Sequence, residues 1–190
     1  MENKKFTTRR IALIGVLSAM VFAATYLHID IPTALGKTML HLGNVVCILG
    51  GLLFGPLTGG LSAGIGSALY DLMDPSYASE AWITFINKFL MGLVAGLVCR
   101  IGRGKDPKKE RLFTIIGGIC GSVTYVILYV SKTIIVQYFV NSGVWETVLA
   151  VAIQKGTVSL VNGLIAVIVS VLLTFALRPA LKKAGIFQKL

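Results

Sequence analysis

The chain has 190 residues, of which 55% are apolar and 14% charged, and its mean hydropathy is +0.82. A soluble domain of this length has too little interior to bury that share of apolar side chains, which argues against a soluble globular enzyme and against disorder. The formal net charge of +10 would favour a nucleic-acid partner in a soluble protein, so the position of the basic residues decides what the charge means.

Six apolar segments have lengths near that of a membrane span. A helix rising about 1.5 Å per residue needs about 20 residues to cross about 30 Å of hydrocarbon. The segments are 11–27, 40–54, 57–73, 82–101, 112–140 and 144–177, and the Gly55-Pro56 pair separates the second from the third. The last two exceed the bilayer thickness, so they must tilt or project. The sequence therefore predicts one all-α membrane domain, residues 1–190, with six transmembrane helices.

Most basic residues lie in three regions: before the first segment, between the fourth and fifth, and after the sixth. They are Lys4, Lys5, Arg9, Arg10, Arg100, Arg103, Lys105, Lys108, Lys109, Arg111, Arg178, Lys182, Lys183 and Lys189. With six spans, these regions lie on one side of the membrane, which the positive-inside rule makes cytoplasmic. We therefore expect a multi-pass protein of the cell membrane with both termini cytoplasmic, and we drop nucleic acid as a partner.

Four lysines do not fit this charge pattern. Lys37 lies in the first outer loop, whereas Lys88, Lys132 and Lys155 lie inside predicted spans. A lysine at the centre of a membrane helix costs about 2.5–3.5 kcal/mol, so three of them in a small bundle indicate a polar interior. Counting from the predicted helix ends places all three in the outer half of the membrane.

Other polar and aromatic side chains lie at the same depth as these lysines. Residues three, four and seven apart share a helical face, which aligns Tyr125 and Tyr129 with Lys132, and Asn162 with Lys155. We predict a polar pocket that opens to the outside and binds a small substrate. The predicted substrate-binding residues are Asn44, Asp71, Trp82, Asn87, Lys88, Tyr125, Tyr129, Lys132, Lys155 and Asn162.

Each of these residues also has a purely structural interpretation. Lys88 or Lys155 near an interface can extend its ammonium group to the lipid headgroups. Lys132 can pair with Asp71 in a structural salt bridge, and a tyrosine in a span can serve as packing or as an interfacial anchor. The convergence of polar groups at one depth, rather than any single residue, favours a substrate site.

Reactive and metal-binding motifs are absent from the sequence. It contains no G-x-x-x-x-G-K-[ST], G-x-S-x-G or H-E-x-x-H, and Cys47, Cys99 and Cys120 have no disulfide or zinc spacing. We expect a transport protein rather than an enzyme, with no metal and no cofactor. The lysines, with His28 and His41, would suit an anionic or strongly hydrogen-bonding ligand, and the aromatic rings would suit a flat heterocycle.

Small residues recur every four positions on the first segment, at Gly15, Ala19 and Ala23. Such faces let helix backbones approach closely in a membrane. Glycine repeats on the third, fourth and fifth segments favour tight packing inside the bundle. The face on the first segment leaves open either packing inside the bundle or contact with another membrane protein.

Three stretches, 53–60, 64–72 and 87–92, resemble the substrate-binding (S) components of energy-coupling factor (ECF) vitamin transporters of the riboflavin, pyridoxine and hydroxymethylpyrimidine type. The resemblance implies a six-helix S-component bundle that captures a small water-soluble vitamin or vitamin precursor. It also implies docking, through the Gly15, Ala19 and Ala23 face, on a membrane T component whose two ATPase subunits drive import. The alternative is a stand-alone secondary carrier or channel for a small polar metabolite.

Overall fold

The computed structural model describes residues 7–188, in which six helices and one antiparallel hairpin dominate. In chain order these are α1 (Thr8–Tyr26), β1 (His28–Thr33), β2 (Gly36–His41), α2 (Gly43–Phe54), α3 (Pro56–Met73), α4 (Ala81–Gly102), α5 (Pro107–Ile135) and α6 (Trp145–Lys183). Short 3₁₀ turns cover Ala78–Glu80 and Ile186–Gln188, and a π turn covers Val136–Val140. Lys4, Lys5 and Lys189 of the charge argument lie outside the described residues.

Local signals explain where several helices begin and end. The Thr7 hydroxyl accepts a hydrogen bond from the Arg10 backbone N–H at 3.3 Å and so caps α1. Pro56 and Pro107 stand in the first turns of α3 and α5, where a missing N–H costs no helical hydrogen bond. Gly55 between α2 and α3 has φ of +91°, a conformation that favours glycine, so the chain reverses at the predicted break.

The hairpin corrects the expectation of an all-α chain. Strand β1 pairs antiparallel with β2, from His28 opposite His41 to Thr33 opposite Gly36. Gly36 closes the two-residue turn with φ of +93°, which a side chain would disfavour. The predicted helix over 40–54 is also wrong at its start, because residues 40–41 belong to β2 and α2 begins at Gly43. The hairpin, residues 28–41, is too short to be a helical span. Pairing between β1 and β2 satisfies its backbone polar groups instead.

The number of helices agrees with the prediction, and the helices differ in length and in hydropathy. Within residues 7–188, four helical segments are long and apolar enough to cross a membrane: Thr8–Tyr26, Ala78–Gly102, Pro107–Val140 and Trp145–Lys183. Helix α2 is apolar but has only 12 residues. Helix α5 begins before its predicted apolar stretch, at Pro107, and α6 ends after its stretch, at Lys183. The apolar stretch indicates only the part that suits lipid, and a helix can continue beyond it through charged residues.

The helices alternate in direction between two ends of the bundle. One end holds the α2–α3 and α4–α5 connections and the basic side chains Arg10, Arg103 and Arg178, and we call it the basic end. The opposite end carries β1 and β2, and we call it the hairpin end. Large apolar side chains on the outside of α6, such as Leu164 and Leu172, are both 63% exposed, as suits a helix in contact with lipid.

The core lies between α2 and its neighbours. Val21, Ile48, Leu52 and Met91 are completely buried and belong to one contiguous apolar cluster. Towards the basic end, glycines replace large side chains in the contacts of α2, α3 and α4. This close backbone packing holds the helices that carry the polar residues of the hairpin end.

Candidate functional site

A polar cavity lies at the hairpin end, between the helices and beneath the hairpin. It holds about 620 Å³ of space between protein atoms, including its opening to solvent. Seven of the predicted site residues line it: Asp71, Asn87, Lys88, Tyr125, Tyr129, Lys132 and Asn162. Helices α3, α4, α5 and α6 contribute these side chains, so the structure brings together groups far apart in the sequence.

Lys88 on α4 is the most deeply buried charged group in the cavity wall. Its side chain lines the cavity, yet the residue is 3% exposed, so it does not extend to lipid headgroups. Its ammonium group donates a hydrogen bond to Asn44 Oδ1 and lies 3.7 Å from the ring centroid of Tyr125. An ammonium group has three protons to donate, and the hydrogen bond to Asn44 occupies one of them.

The Tyr125 and Tyr129 side chains form a stacked pair one helical turn apart on α5. Their ring centroids are 5.6 Å apart and their planes differ by 23°. The Tyr129 hydroxyl shares a hydrogen bond of 3.3 Å with the Thr38 hydroxyl of β2, which ties the pair to the hairpin. Two aligned rings in a cavity wall provide a flat surface against which a planar ligand can pack.

Asp71 places a carboxylate in the same cavity from the hairpin end of α3. The residue is 8% exposed, and the Thr84 hydroxyl of α4 lies beside the carboxylate. The alternative in which Lys132 pairs with Asp71 is wrong, because the Lys132 ammonium group pairs with Glu80. Among residues 7–188, neither Asp71 nor Lys88 has an ion-pair partner within 4.0 Å.

The hairpin is attached above the cavity by a second charge cluster. Lys37 Nζ lies 3.0 Å from both Asp30 Oδ2 and Asp74 Oδ2, and the Tyr77 hydroxyl donates to the Lys37 carbonyl at 3.1 Å. The hydrogen bond with Asp74 raises the pKa of Lys37. Burial alone would raise the pKa of Asp74, but hydrogen bonds from Lys37 and Ser76 lower it.

Three predicted site residues lie elsewhere. Asn44 is completely buried behind Lys88 and holds it without lining the cavity. Lys155 is buried on α6 near Lys132, but it is not among the lining residues. Trp82 is 66% exposed at the start of α4, so its predicted role in stacking against a ligand does not fit the geometry.

The sequence interpretation missed part of the cavity wall. The additional lining residues are Thr25, Thr38, Met39, His41, Ser67, Tyr77, Thr84 and Ser159. Thr38 and Met39 come from β2, so they could be found only by recognising the hairpin, whereas the sequence already suggested His41 of β2 as a group that suits the ligand. Ser67, Thr84 and Ser159 were left out of the predicted site, although helical spacing already placed them on the same polar faces as predicted site residues.

The polar groups that line the cavity are suited to holding a ligand. Within 7–188, no group of three or more His, Cys, Asp or Glu side chains is arranged to hold a metal ion. The polar groups of the cavity are an ammonium, a carboxylate, amides and hydroxyls in fixed positions, and this set can orient a polar ligand by hydrogen bonds.

The small-residue face of α1 points away from the bundle. Gly15, Ala19 and Ala23 are all exposed, and a Cβ added at Gly15 would meet nothing within 4 Å. Gly15 and Ala19 border an apolar groove between α1 and α3, where Ile65 and Leu69 form the opposite side. Packing inside this chain therefore does not account for the face.

The sequence is similar to several known proteins. The family model described as ECF-type riboflavin transporter, S component, matches residues 5–179. A UPF0397 protein of Streptococcus gordonii is 26% identical over 97% of this chain and 95% of its own length. A UPF0397 protein of Streptococcus pneumoniae is 28% identical over 97% of this chain and 98% of its own length. An uncharacterized protein of Pyrococcus woesei is 32% identical over 54% of this chain and 66% of its own length.

The fold also matches a solved structure, titled "Structure and mechanism of the S component of a bacterial ECF transporter". The TM-score is 0.60 at 22% sequence identity, and the match covers 92% of this chain and 98% of the other. At this identity the match shows a shared fold. The resemblance predicted from the sequence is thus confirmed at the level of the family, and the chain belongs to the S-component family of ECF-type riboflavin transporters.

Proposed function

We propose that the protein is the substrate-capture subunit of an ATP-driven ECF importer and binds a small water-soluble vitamin or vitamin precursor in the polar cavity. The observation that carries this proposal is the cavity itself, in which Lys88, Asp71 and the Tyr125–Tyr129 pair converge in a chain of the S-component family. The stacked rings suit a flat heterocycle, and the family description names riboflavin as one such compound.

The orientation follows from the distribution of charge along the bundle. All six helices run between the basic end and the hairpin end, and we propose that all six cross the membrane with the basic end in the cytoplasm. The cavity then opens to the outside through the hairpin end. Both termini lie on the cytoplasmic side in this arrangement, since α1 begins and α6 ends at the basic end.

Delivery requires partners, because the sequence has no nucleotide-binding motif of the G-x-x-x-x-G-K-[ST] type. ECF S components work with a T component and ATPases. We propose that the exposed face at Gly15, Ala19 and Ala23 contacts the T component, because small side chains let a partner helix approach the α1 backbone.

Two measurements on the same cells test this function: co-purification of partners and uptake of substrate. Protein tagged and purified in mild detergent from its own cells should bring down a T component and two ATPase subunits. The same cells should accumulate one vitamin or precursor, and deletion of the ATPase genes should abolish that uptake. Uptake that persists without the ATPases would favour a stand-alone carrier, and the absence of both co-purification and uptake would overturn the proposal.

A further inference from the structure

A second cleft lies at the basic end of the bundle, between the start of α5 and the end of α6, and we call it the basic cleft. It holds about 970 Å³ of space between protein atoms, including its opening to solvent. Its walls include Glu110, Arg111, Phe175, Arg178, Pro179 and Lys182. Helix α1 packs against α2 and α3, so the basic cleft is separate from the small-residue face of α1 and from the substrate cavity at the hairpin end.

The cations in the wall of the basic cleft have different surroundings. Arg178 Nη1 donates to Glu110 Oε1 at 2.8 Å, and Arg178 Nη2 donates to the Leu52 carbonyl at 2.9 Å. The charges of Arg178 and Glu110 therefore offset each other. Arg111 and Lys182 are both exposed, and within residues 7–188 neither has an ion-pair partner within 4.0 Å. The wall thus presents two unpaired positive charges, one from each helix.

Apolar side chains lie on the membrane side of these two charges. Phe175 lines the basic cleft itself. Ile115, one helical turn inward from Arg111, is 39% exposed, and Leu172, three residues inward from Phe175, is 63% exposed. The same surface therefore passes from unpaired cations to exposed apolar side chains, which is the order in which a phospholipid presents its phosphate and its acyl chains.

We propose that the basic cleft binds an anionic phospholipid, whose phosphate contacts Arg111 and Lys182 while its acyl chains pack along Ile115 and Leu172. A guanidinium group can donate to two phosphate oxygens at once, and an ammonium group adds a compact positive charge. A zwitterionic lipid carries a cationic group that the two side chains repel, so the site selects for the anionic headgroup. With the basic end in the cytoplasm, this lipid belongs to the cytoplasmic leaflet, where basic pockets between membrane helices bind such headgroups.

Native mass spectrometry of the full-length protein in detergent tests the site. The protein is titrated with phosphatidylglycerol and, separately, with phosphatidylcholine of the same acyl chains. We expect one phosphatidylglycerol to bind about 10-fold or more tightly than phosphatidylcholine, because each basic side chain near a membrane surface adds attraction to an anionic lipid. Equal affinities would overturn the proposal. Glycerol 3-phosphate has the phosphate without the acyl chains and should not displace the lipid at equal concentration. Displacement would indicate a soluble phosphate ligand and would likewise overturn it.

Matched double variants assign the preference to the basic cleft. Arg111→Gln combined with Lys182→Gln removes both unpaired charges and should reduce the preference for phosphatidylglycerol to about 2-fold or less. Lys108→Gln combined with Lys183→Gln removes the same charge from exposed positions of the same two helices, outside the lining residues, and should retain the wild-type preference. Thermal unfolding checks that both variants are folded. An equal loss in the two variants would show that net charge alone attracts the lipid, which would contradict the site.

A protein subunit is the competing occupant of the basic cleft. If the Arg111→Gln and Lys182→Gln protein keeps its lipid preference but no longer co-purifies with a T component, the two cations contact protein and the proposal is overturned. Loss of the lipid preference with co-purification retained supports the lipid site. The lipid titration uses the purified chain alone, so its outcome does not depend on whether the proposed transport function is correct.

Discussion

The helices pack differently at the two ends of the bundle. Towards the basic end, glycines let helices touch through their main chains: a Cβ at Gly92 would lie 2.7 Å from the Gly59 carbonyl oxygen, and one at Gly121 would lie 2.7 Å from the Met91 carbonyl oxygen. At the hairpin end, side chains of α3 to α6 surround open space instead. The comparison teaches that close main-chain contacts hold α2 to α5 together below the cavity, whereas polar side chains line the cavity at the hairpin end.

The hydrogen bonds show the same contrast. Arg103 Nη2 donates to the carbonyls of Leu52 and Leu53 at 2.8 and 2.7 Å, and Arg178 Nη2 donates to the Leu52 carbonyl at 2.9 Å. The last carbonyls of α2 are thus satisfied by cations from Arg103, directly after α4, and from Arg178 of α6. At the other end of α2, the buried Asn44 Nδ2 has no partner in the structure. The last carbonyl groups of α2 therefore have hydrogen-bond donors, whereas the amide group of Asn44 at the first turn of α2 has a donor without an acceptor.

The largest effect is expected from adding a side chain at a glycine where α2 and α3 are in close contact. In Gly59→Val, the new side chain would collide with the backbone of Gly51, which cannot move aside without shifting α2. We expect a loss of about 3 kcal/mol or more of unfolding free energy, at the upper end for overpacking. Thermal unfolding in detergent measures it. Gly15→Val, where the structure offers open space, should unfold near the wild-type temperature, and equal instability of the two variants would contradict the role of this close contact.

Disrupting the α1 face should abolish transport without touching the cavity. Ala19→Trp places a large ring on an exposed surface, so the fold and ligand affinity should be retained while uptake by cells falls to background. Leu172→Trp makes the same addition on α6, where the residue is 63% exposed, and should leave uptake intact. Loss of ligand binding in Ala19→Trp would show that the face packs within this chain instead.

A smaller effect is expected from changing the stacking surface. Tyr125→Leu removes the ring that faces both Tyr129 and Lys88, and ligand affinity should fall about 10-fold, or about 1.4 kcal/mol, close to the value of an aromatic contact. Tyr125→Phe keeps the ring and should bind within about 3-fold of wild type, or roughly 0.6 kcal/mol. Calorimetry with the same ligand measures both. If Tyr125→Phe loses as much as Tyr125→Leu, the hydroxyl rather than the stacked ring determines affinity.

The smallest effect concerns the charge cluster of the hairpin. The pKa of Asp74 is lowered in the folded protein, so its contribution is present above the ordinary carboxyl pKa of about 3.9 and is lost as pH falls through the folded value. The pKa of Lys37 is raised, so its contribution is present below about pH 10.4 and is lost as pH rises through the folded value. Between these limits the contribution should be constant.

Lys37→Met tests this cluster. Because the groups are partly exposed, we expect a loss of about 1 kcal/mol or less in the free energy of unfolding at pH 7. The difference between wild type and Lys37→Met should shrink on acidification below about pH 4, as measured by thermal unfolding across a pH series. A difference that grows in acid would contradict the assigned pairing. Lys108→Met, an exposed lysine at the basic end, serves as the control.

Much of the helical bundle could be predicted from the sequence because its signals are local. The Gly55-Pro56 break, the length of the apolar segments and the sorting of basic residues each depend on neighbouring positions. Helical spacing likewise placed Tyr125, Tyr129 and Lys132 on one side of α5, and all three line the cavity.

The remaining features depend on contacts between distant segments. The pairing of Lys132 with Glu80 requires the turn before α4 to approach α5, which no spacing rule shows. The hairpin was missed because residues 28–39 were interpreted as an outer loop and residues 40–41 as the start of the second span. Trp82 could have been excluded from the sequence. It precedes Lys88 by six residues on α4, which places it about 120° around the helix from Lys88 and the cavity.

Native mass spectrometry of the protein purified from its own cells tests the central claim most directly. The account predicts that the wild-type protein and Lys108→Met each carry one small molecule per chain, with the mass of a vitamin or vitamin precursor. Lys88→Met, folded to the same extent by thermal unfolding, should be recovered empty. If Lys88→Met retains the same molecule at the wild-type occupancy, the ligand does not bind in this cavity and the account is contradicted.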